Sequence, residues 1–299
     1  MFVEFLLAST LAGIHQPGEA LVAAADPQPE MATPEEFAAS CTDWDDWEKS
    51  APAFAILPRL AYIGTCGITV LLLDTPSGQV LFDTGTQTGG IIALTQMEHL
   101  GIDLSSVAVI LASHEHFDHV GGMADVSGLT GAPVLALPNM ARVLRTGTDN
   151  PADPQAGMHE PMKPVRTVVT IDAGEPVLVG GVAITPIATP GHTPGATSWH
   201  WKHCVGGQCW DVVYADSLSP VSRDGYRFSD NPEYVAVYRA GLKRLRETPC
   251  DVLLTPHPSA SRMVARSATG SLAGGMTCIE YADAVEARLA QRLTQETAQ

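Results

Sequence analysis

Three histidines and an aspartate fall within six residues in His114-Glu115-His116-Phe117-Asp118-His119, directly after the apolar run Val107–Ala112. Imidazole and carboxylate together suit zinc and similar borderline cations, and two ligands spaced i, i+2 can reach one ion from an extended segment. Two further histidines stand in loops marked by proline and glycine, His192 in Thr189-Pro190-Gly191-His192-Thr193-Pro194-Gly195 and His257 in Pro256-His257-Pro258. Glu115 is not the base of a zincin, because HExxH needs histidine where Asp118 stands; it supports the loop instead. His159, His200 and His203 read as surface or core residues.

These side chains need strands that end together. Leu60–Gly64, Gly67–Asp74 and Gln79–Phe82 read as short strands, with Pro76-Ser77-Gly78 as a turn. Ile91–Leu100 has helical spacing, Val107–Ala112 is a strand that delivers the histidine cluster, and Val120–Leu129 is a helix. Pro133–Leu137 (strand) and Asn139–Leu144 (helix) precede a polar, proline-rich loop, Thr146–Val165, of the kind that covers a site. Strands resume at Thr167–Ile171, Pro176–Val179, Val182–Ile187, Thr197–Trp201 and Trp210–Tyr214. The helix Tyr234–Glu247, the strand Val252–Leu254 and a final helix over Cys278–Thr297 close the chain. Two strand-rich halves, each carrying helices, predict an α/β four-layer αβ/βα sandwich with its site along the edge where strand ends from both halves meet.

The chain has 299 residues, 45% of them apolar, enough for a large buried core. Its net charge of -16 argues against binding a phosphate backbone, which needs clustered Lys and Arg. No apolar run reaches the roughly 20 residues of a membrane span. Phe5–Ile14 followed by Ala23-Ala24-Ala25 reads as a signal peptide over residues 1–25, with a loosely structured acidic lead-in over 26–50 anchored by Trp44 and Trp47, and the folded domain over 51–299. The six cysteines Cys41, Cys66, Cys204, Cys209, Cys250 and Cys278 include no CxxC pair. Their even number fits disulfides in an oxidising compartment, periplasmic or secreted, although about 15 pairings are open to six cysteines. Cys204 and Cys209 flank Gly206-Gly207, a natural turn for one small bridge.

The blocks LASHEHFDHVGG, TPGHTPGATSW, YADSLS and LLTPHPSAS together resemble the metallo-β-lactamase superfamily, and specifically its class B3 β-lactamases, from about Trp44 to the C-terminus. The resemblance implies two zinc ions: His114, His116 and His192 would hold one, and Asp118, His119 and His257 the other. Ser217 stands where classes B1 and B2 place a zinc-binding cysteine. With Ser219 it resembles the serine pair that holds the substrate carboxylate in class B3, and Gln155 assists from its loop. Glyoxalase II and the lactonases of this superfamily bridge their metals with an aspartate in the position of Asp216; the Ala215–Ser219 stretch resembles class B3, where that residue is a support. The resemblance also implies bridges Cys250–Cys278, Cys204–Cys209 and Cys41–Cys66.

The function expected from the resemblance is hydrolysis of the β-lactam amide of penicillins, cephalosporins and carbapenems, conferring antibiotic resistance, by a monomer with Asp118 orienting the attacking hydroxide. The alternatives are a thioester or lactone hydrolase of the same fold, and a zinc protein without catalysis.

Overall fold

The computed structural model describes residues 31–159 and 161–298; the signal-peptide reading of residues 1–25 lies outside them. The lead-in is more ordered than its composition suggests. Thr33 and Glu36 cap each other's backbone to start helix α1, Pro34–Ser40, and the ring of Phe37 is fully buried against Phe54 and Tyr62. Phe37 is thus the anchor expected of the tryptophans, while Trp44 and Trp47 are 72% and 40% exposed. The Thr-Pro-Glu-Glu sequence is a capping-box signal that composition alone conceals.

Strands β1 (Phe54–Leu57), β2 (Leu60–Tyr62), β3 (Leu71–Thr75) and β4 (Gly78–Phe82) pair antiparallel in sequence order. β2 and β3 are shorter than their apolar runs because Thr65 closes a turn onto Ile68, N–H to carbonyl, at 2.9 Å. Helix α2, Gln87–His99, begins earlier than its apolar spacing indicates, at a Thr86 cap. Gly89 and Gly90 disfavour helix locally, but a side chain at Gly90 would meet Gly122 Cα at 3.1 Å, so close packing sets the residue there. Then come β5 (Val107–Leu111), α3 (Phe117–Val120), α4 (Met123–Thr130), β6 (Val134–Ala136), α5 (Pro138–Thr146) and β7 (Val168–Thr170), with β4 to β7 parallel. The single helix expected over Val120–Leu129 is therefore two, broken at Gly121-Gly122.

The second sheet contains β8 (Val177–Val179), β9 (Val182–Ala188), β10 (Thr197–Val205), β11 (Gln208–Tyr214) and, after helix α6 (Pro232–Glu247), β12 (Val252–Leu254). β11 and β12 pair parallel and the others antiparallel. The short helix α7, Met263–Ser267, and the long α8, Cys278–Thr297, complete the chain. Phe82, Trp199, Trp201 and Tyr214 fill the space between the sheets; Met97, Val126 and Leu144 pack helices on the first sheet, and Leu242, Tyr281 and Val285 pack helices on the second. Helix, sheet, sheet and helix therefore form the four-layer sandwich.

Disulfides join Cys41 to Cys66, Cys204 to Cys209 and Cys250 to Cys278. Among the described residues no helix is long and apolar enough to cross a membrane.

Candidate metal centre

The carboxyl ends of β4, β5, β9, β11 and β12 deliver Asp83, the His114–His119 loop, His192, Asp216 and His257 to one edge of the sandwich. Interior hydrogen bonds fix the two sheets there. Asp83 accepts from Ser113 N–H and Oγ, each at 2.7 Å, and from Tyr214 Oη at 2.6 Å. Trp199 Nε1 donates to Ala112 O at 2.9 Å, and Thr69 Oγ1 to Thr255 O at 2.8 Å. Asp83 and Leu218 have positive φ, 58° and 51°. For a leucine this is a strained backbone, held by Leu218 N–H donating to Asp216 Oδ2 at 3.0 Å and by Tyr238 Oη donating to Leu218 O.

In His114, His116, His192 and His257 an outer hydrogen bond determines which ring nitrogen faces inward, whereas the buried His119 Nδ1 has no hydrogen-bond partner among the described residues. His114 Nδ1 pairs with Asp216 Oδ1 at 2.8 Å, leaving the buried Nε2 without a partner. His192 Nδ1 donates to Ser219 O at 2.8 Å, and His257 Nδ1 lies 3.2 Å from Gly67 O, so both present Nε2. His116 is reversed: its Nε2 pairs with Asp153 Oδ2 at 3.0 Å, which leaves Nδ1. His119 Nδ1 lies 3.5 Å from Asp83, and its Nε2 faces Asp118.

The rings of His114, His116 and His192 converge, with centroids 4.9, 4.7 and 4.8 Å apart. Asp118 Oδ2 lies 3.1 Å from His119 Nε2 and 3.2 Å from His257 Nε2, and those two nitrogens are 3.3 Å apart. Ligands about 2.0–2.1 Å from a tetrahedral zinc are separated by about 3.3–3.4 Å, so this triangle has the size of one face of such a site. His114 is also near enough to Asp118 and His119 to form a metal-holding group with them. By ring centroids His114 lies 4.1 Å and His257 4.8 Å from His119, so both rings border Asp118 and His119.

Charge provides an independent test of fit. Asp83, Glu115, Asp118, Asp153 and Asp216 are all buried around these rings. The buried Arg266 spends its donors on the carbonyls of Leu253, Ser261, Leu272 and Gly274. Buried carboxylates without cations are costly, and divalent ions at the two triads would balance them. Without metal, protons substitute in part. Burial lowers His119, but Asp118 and Asp83 override it and raise the ring to about 10. Burial opposes ionisation of Asp118, yet His119 and His257 hold it well below the usual carboxylate range. Burial and neighbouring histidines keep His114 well below its ordinary value and bring His192 down to about 3, so both rings are neutral and able to bind a cation. Burial pushes Glu115 up to about 7.

Around this centre, Gln155 Nε2 lies 3.5 Å from His192 Nε2 and is held by its own N–H donating to Asp153 Oδ1 at 2.7 Å. Ser217 Oγ is enclosed without a hydrogen-bond partner among the described residues, and Ser219 is half-buried beside it. The Trp44 and Trp47 rings stand 6.3 and 6.1 Å from His257, forming an exposed aromatic border rather than anchors. His159 is half-buried in its loop, its ring 6.1 Å from His116 and stacked on Phe117 at 6.5 Å. His203, buried against Pro58 O, and His200, paired with Asp211, are remote from the centre. Asp153 and Asp83, which motif spacing did not single out, stand behind His116 and His119.

Residues 63–262 match the family model described as the metallo-beta-lactamase superfamily. Among solved structures, MIM-2 metallo-beta-lactamase is 48% identical over 89% of this chain and 99% of its own, with a TM-score of 0.84. MIM-1 from Novosphingobium pentaromativorans is 37% identical, covering 88% and 98%, with a TM-score of 0.84. MEM-A1, a subclass B3 metallo-beta-lactamase from a soil metagenome library, is 34% identical, covering 85% and 99%, with a TM-score of 0.81. A hydroxyacylglutathione hydrolase of Idiomarina loihiensis is 26% identical over 48% of this chain and 44% of its own length. The matched segments span about half the length of the curated relatives. Ligand geometry, charge and sequence likeness agree: the chain belongs to the metallo-beta-lactamase superfamily, where it groups with subclass B3.

Proposed function

We propose that this protein hydrolyses the amide bond of β-lactam antibiotics, with one zinc ion held by His114, His116 and His192 and a second by Asp118, His119 and His257. The observation that carries the choice of substrate is the likeness to MIM-2 metallo-beta-lactamase along nearly its full length. When bound, the ions supply an activated water at neutral pH and Lewis acidity toward the carbonyl oxygen and the leaving nitrogen.

The chain's own groups do the rest. Asp118 Oδ1 makes no hydrogen bond among the described residues, so it is free to orient a water and take up its proton. Ser219 and Gln155 bind the substrate carboxylate, and Trp44 and Trp47 offer an apolar face beside His257. Ser217, whose Oγ is enclosed, stands behind Ser219 and accepts from its hydroxyl at the backbone carbonyl at 3.4 Å. The engaged oxygens of Asp216 favour a lactamase over a lactone or thioester hydrolase whose aspartate bridges its metals. No serine or cysteine nucleophile is required. The three disulfides fit a periplasmic or secreted enzyme acting in antibiotic resistance.

The test is a hydrolysis panel of a penicillin, a cephalosporin and a carbapenem with oxidised, zinc-loaded protein, repeated after chelation. Turnover that chelation abolishes is expected. If all three compounds survive the zinc-loaded protein, the lactamase reading is overturned.

A further inference from the structure

Glu115 sits between two candidate ligands in sequence, yet its carboxylate is spent on a different loop. Oε2 accepts from Thr193 Oγ1 at 2.7 Å and Oε1 from Gly195 N–H at 2.9 Å. Both donors belong to the β9–β10 connection, one and three residues beyond His192. Glu115 follows β5 of the first sheet, so this pair of bonds joins the ligand-bearing loops of the two halves. The join is built closely: a side chain at Gly195 would lie 2.5 Å from Glu115 Oε2, 2.7 Å from Oε1 and 2.6 Å from Met140 N. At the base of the same loop, Thr197 N–H donates to Ser113 O at 2.7 Å, and on its outer side Asn139 Nδ2 donates to Pro194 O at 3.1 Å. Neither bond reaches the residues next to His192. His192 Nδ1 is tied to Ser219 O, and the adjacent Gly191 packs against the Tyr238 ring. Both contacts lie within the second half, so the hydrogen bonds from the neighbourhood of His192 to the loop of His114 and His116 are those of Glu115.

We infer that Glu115 is a positioning residue for the first metal site: by clamping Thr193 and Gly195 it fixes His192 relative to His114 and His116, and so sets that site's affinity without touching the ion. A carboxylate serves here because it accepts from two separate donors. A glutamine accepts through one oxygen and turns its amide N–H toward the other donor; alanine leaves both donors buried and unpaired.

The inference rests on the reading of His114, His116 and His192 as a metal site, and its test separates the two. Zinc affinities of wild type, E115A, E115Q and T193V are measured by competition with a chromophoric chelator. The d–d spectra of the cobalt-substituted proteins are recorded in parallel, with H192A identifying the signals of the first site. E115A should weaken the first site by about 10–100-fold and shift its cobalt bands, leaving the second site within about threefold, as expected for loss of a partner behind a metal ligand. E115Q and T193V, each retaining one clamp bond, should fall between wild type and E115A. Should E115A not fold, these two variants decide by the same criterion. Variants with wild-type affinities and spectra overturn the clamp, and equal weakening of both sites makes Glu115 a packing residue only. A wild type that binds no metal at the first triad overturns the site reading itself.

Discussion

Replacing Asp216 by asparagine tests the structure's division of labour at its most discriminating point. The carboxylate is fully buried and accepts from His114 Nδ1 at 2.8 Å and Leu218 N–H at 3.0 Å. Asparagine keeps the shape but offers one oxygen and one NH₂. Leu218 N–H can only donate, so the amide oxygen turns to it and the NH₂ faces His114. His114 Nδ1 then becomes the acceptor, and the ring proton moves to Nε2, the atom that should bind metal. Restoring the correct tautomer leaves two donors opposed in a buried site, a cost of about 1–3 kcal/mol. That corresponds to about 5–150-fold in zinc affinity, which brackets the roughly 10–100-fold loss typical when partners behind metal ligands are removed. The assay is zinc titration of D216N with β-lactam turnover measured at limiting and at excess zinc. Turnover should collapse at limiting zinc and largely recover in excess. An affinity within about twofold of wild type would refute the tautomer argument. Turnover that no zinc concentration restores would identify Asp216 as a direct ligand and return the lactone or thioester alternative.

Two other perturbations follow from the geometry. His119 is raised from 6.5 to about 10 in the metal-free fold, where Asp118 and Asp83 outweigh burial, so its contribution to stability is complete below pH 6.5 and is lost as pH rises toward about 10. The melting temperature of metal-free protein should fall across that window, and zinc binding at about pH 8 should release a proton, seen by calorimetry in buffers of different ionisation enthalpy; a pH-independent melt with no proton release contradicts it. Replacing both Cys41 and Cys66 with serine removes a bridge between residues 25 apart, worth about 3–4 kcal/mol in denaturant unfolding. It also frees the segment carrying Trp44 and Trp47, so KM for aryl-substituted β-lactams should rise more than kcat falls. An unchanged KM would remove the tryptophans from the substrate site.

Much of the fold was legible because its signals are local. Alternating and continuous apolar runs located β4, β5, β9, β11 and β12, whose ends carry the site. Helix α1 is not legible because its acidic, proline-bearing composition outweighs a four-residue capping signal. The first turn of helix α2 is not legible because Gly89 and Gly90 mask it, and Gly90 meets a close contact with Gly122 that sequence does not display. Apolarity alone likewise predicts burial of Trp44 and Trp47, whereas Phe37 takes the buried position and the tryptophans border His257.

By itself the sequence determined the ligand types, since His114, His116, Asp118 and His119 share one short loop at a strand end, and proline and glycine mark the loops of His192 and His257. Only the tertiary structure decided how each ligand is presented. Asp216 lies 102 residues from His114, and Asp153 lies 37 from His116. These partners, brought together by sheet pairing and by the loop after α5, leave Nε2 free on one ring and Nδ1 on the other. A histidine's two nitrogens are equivalent in sequence, and a hydrogen bond from a distant strand or loop distinguishes them.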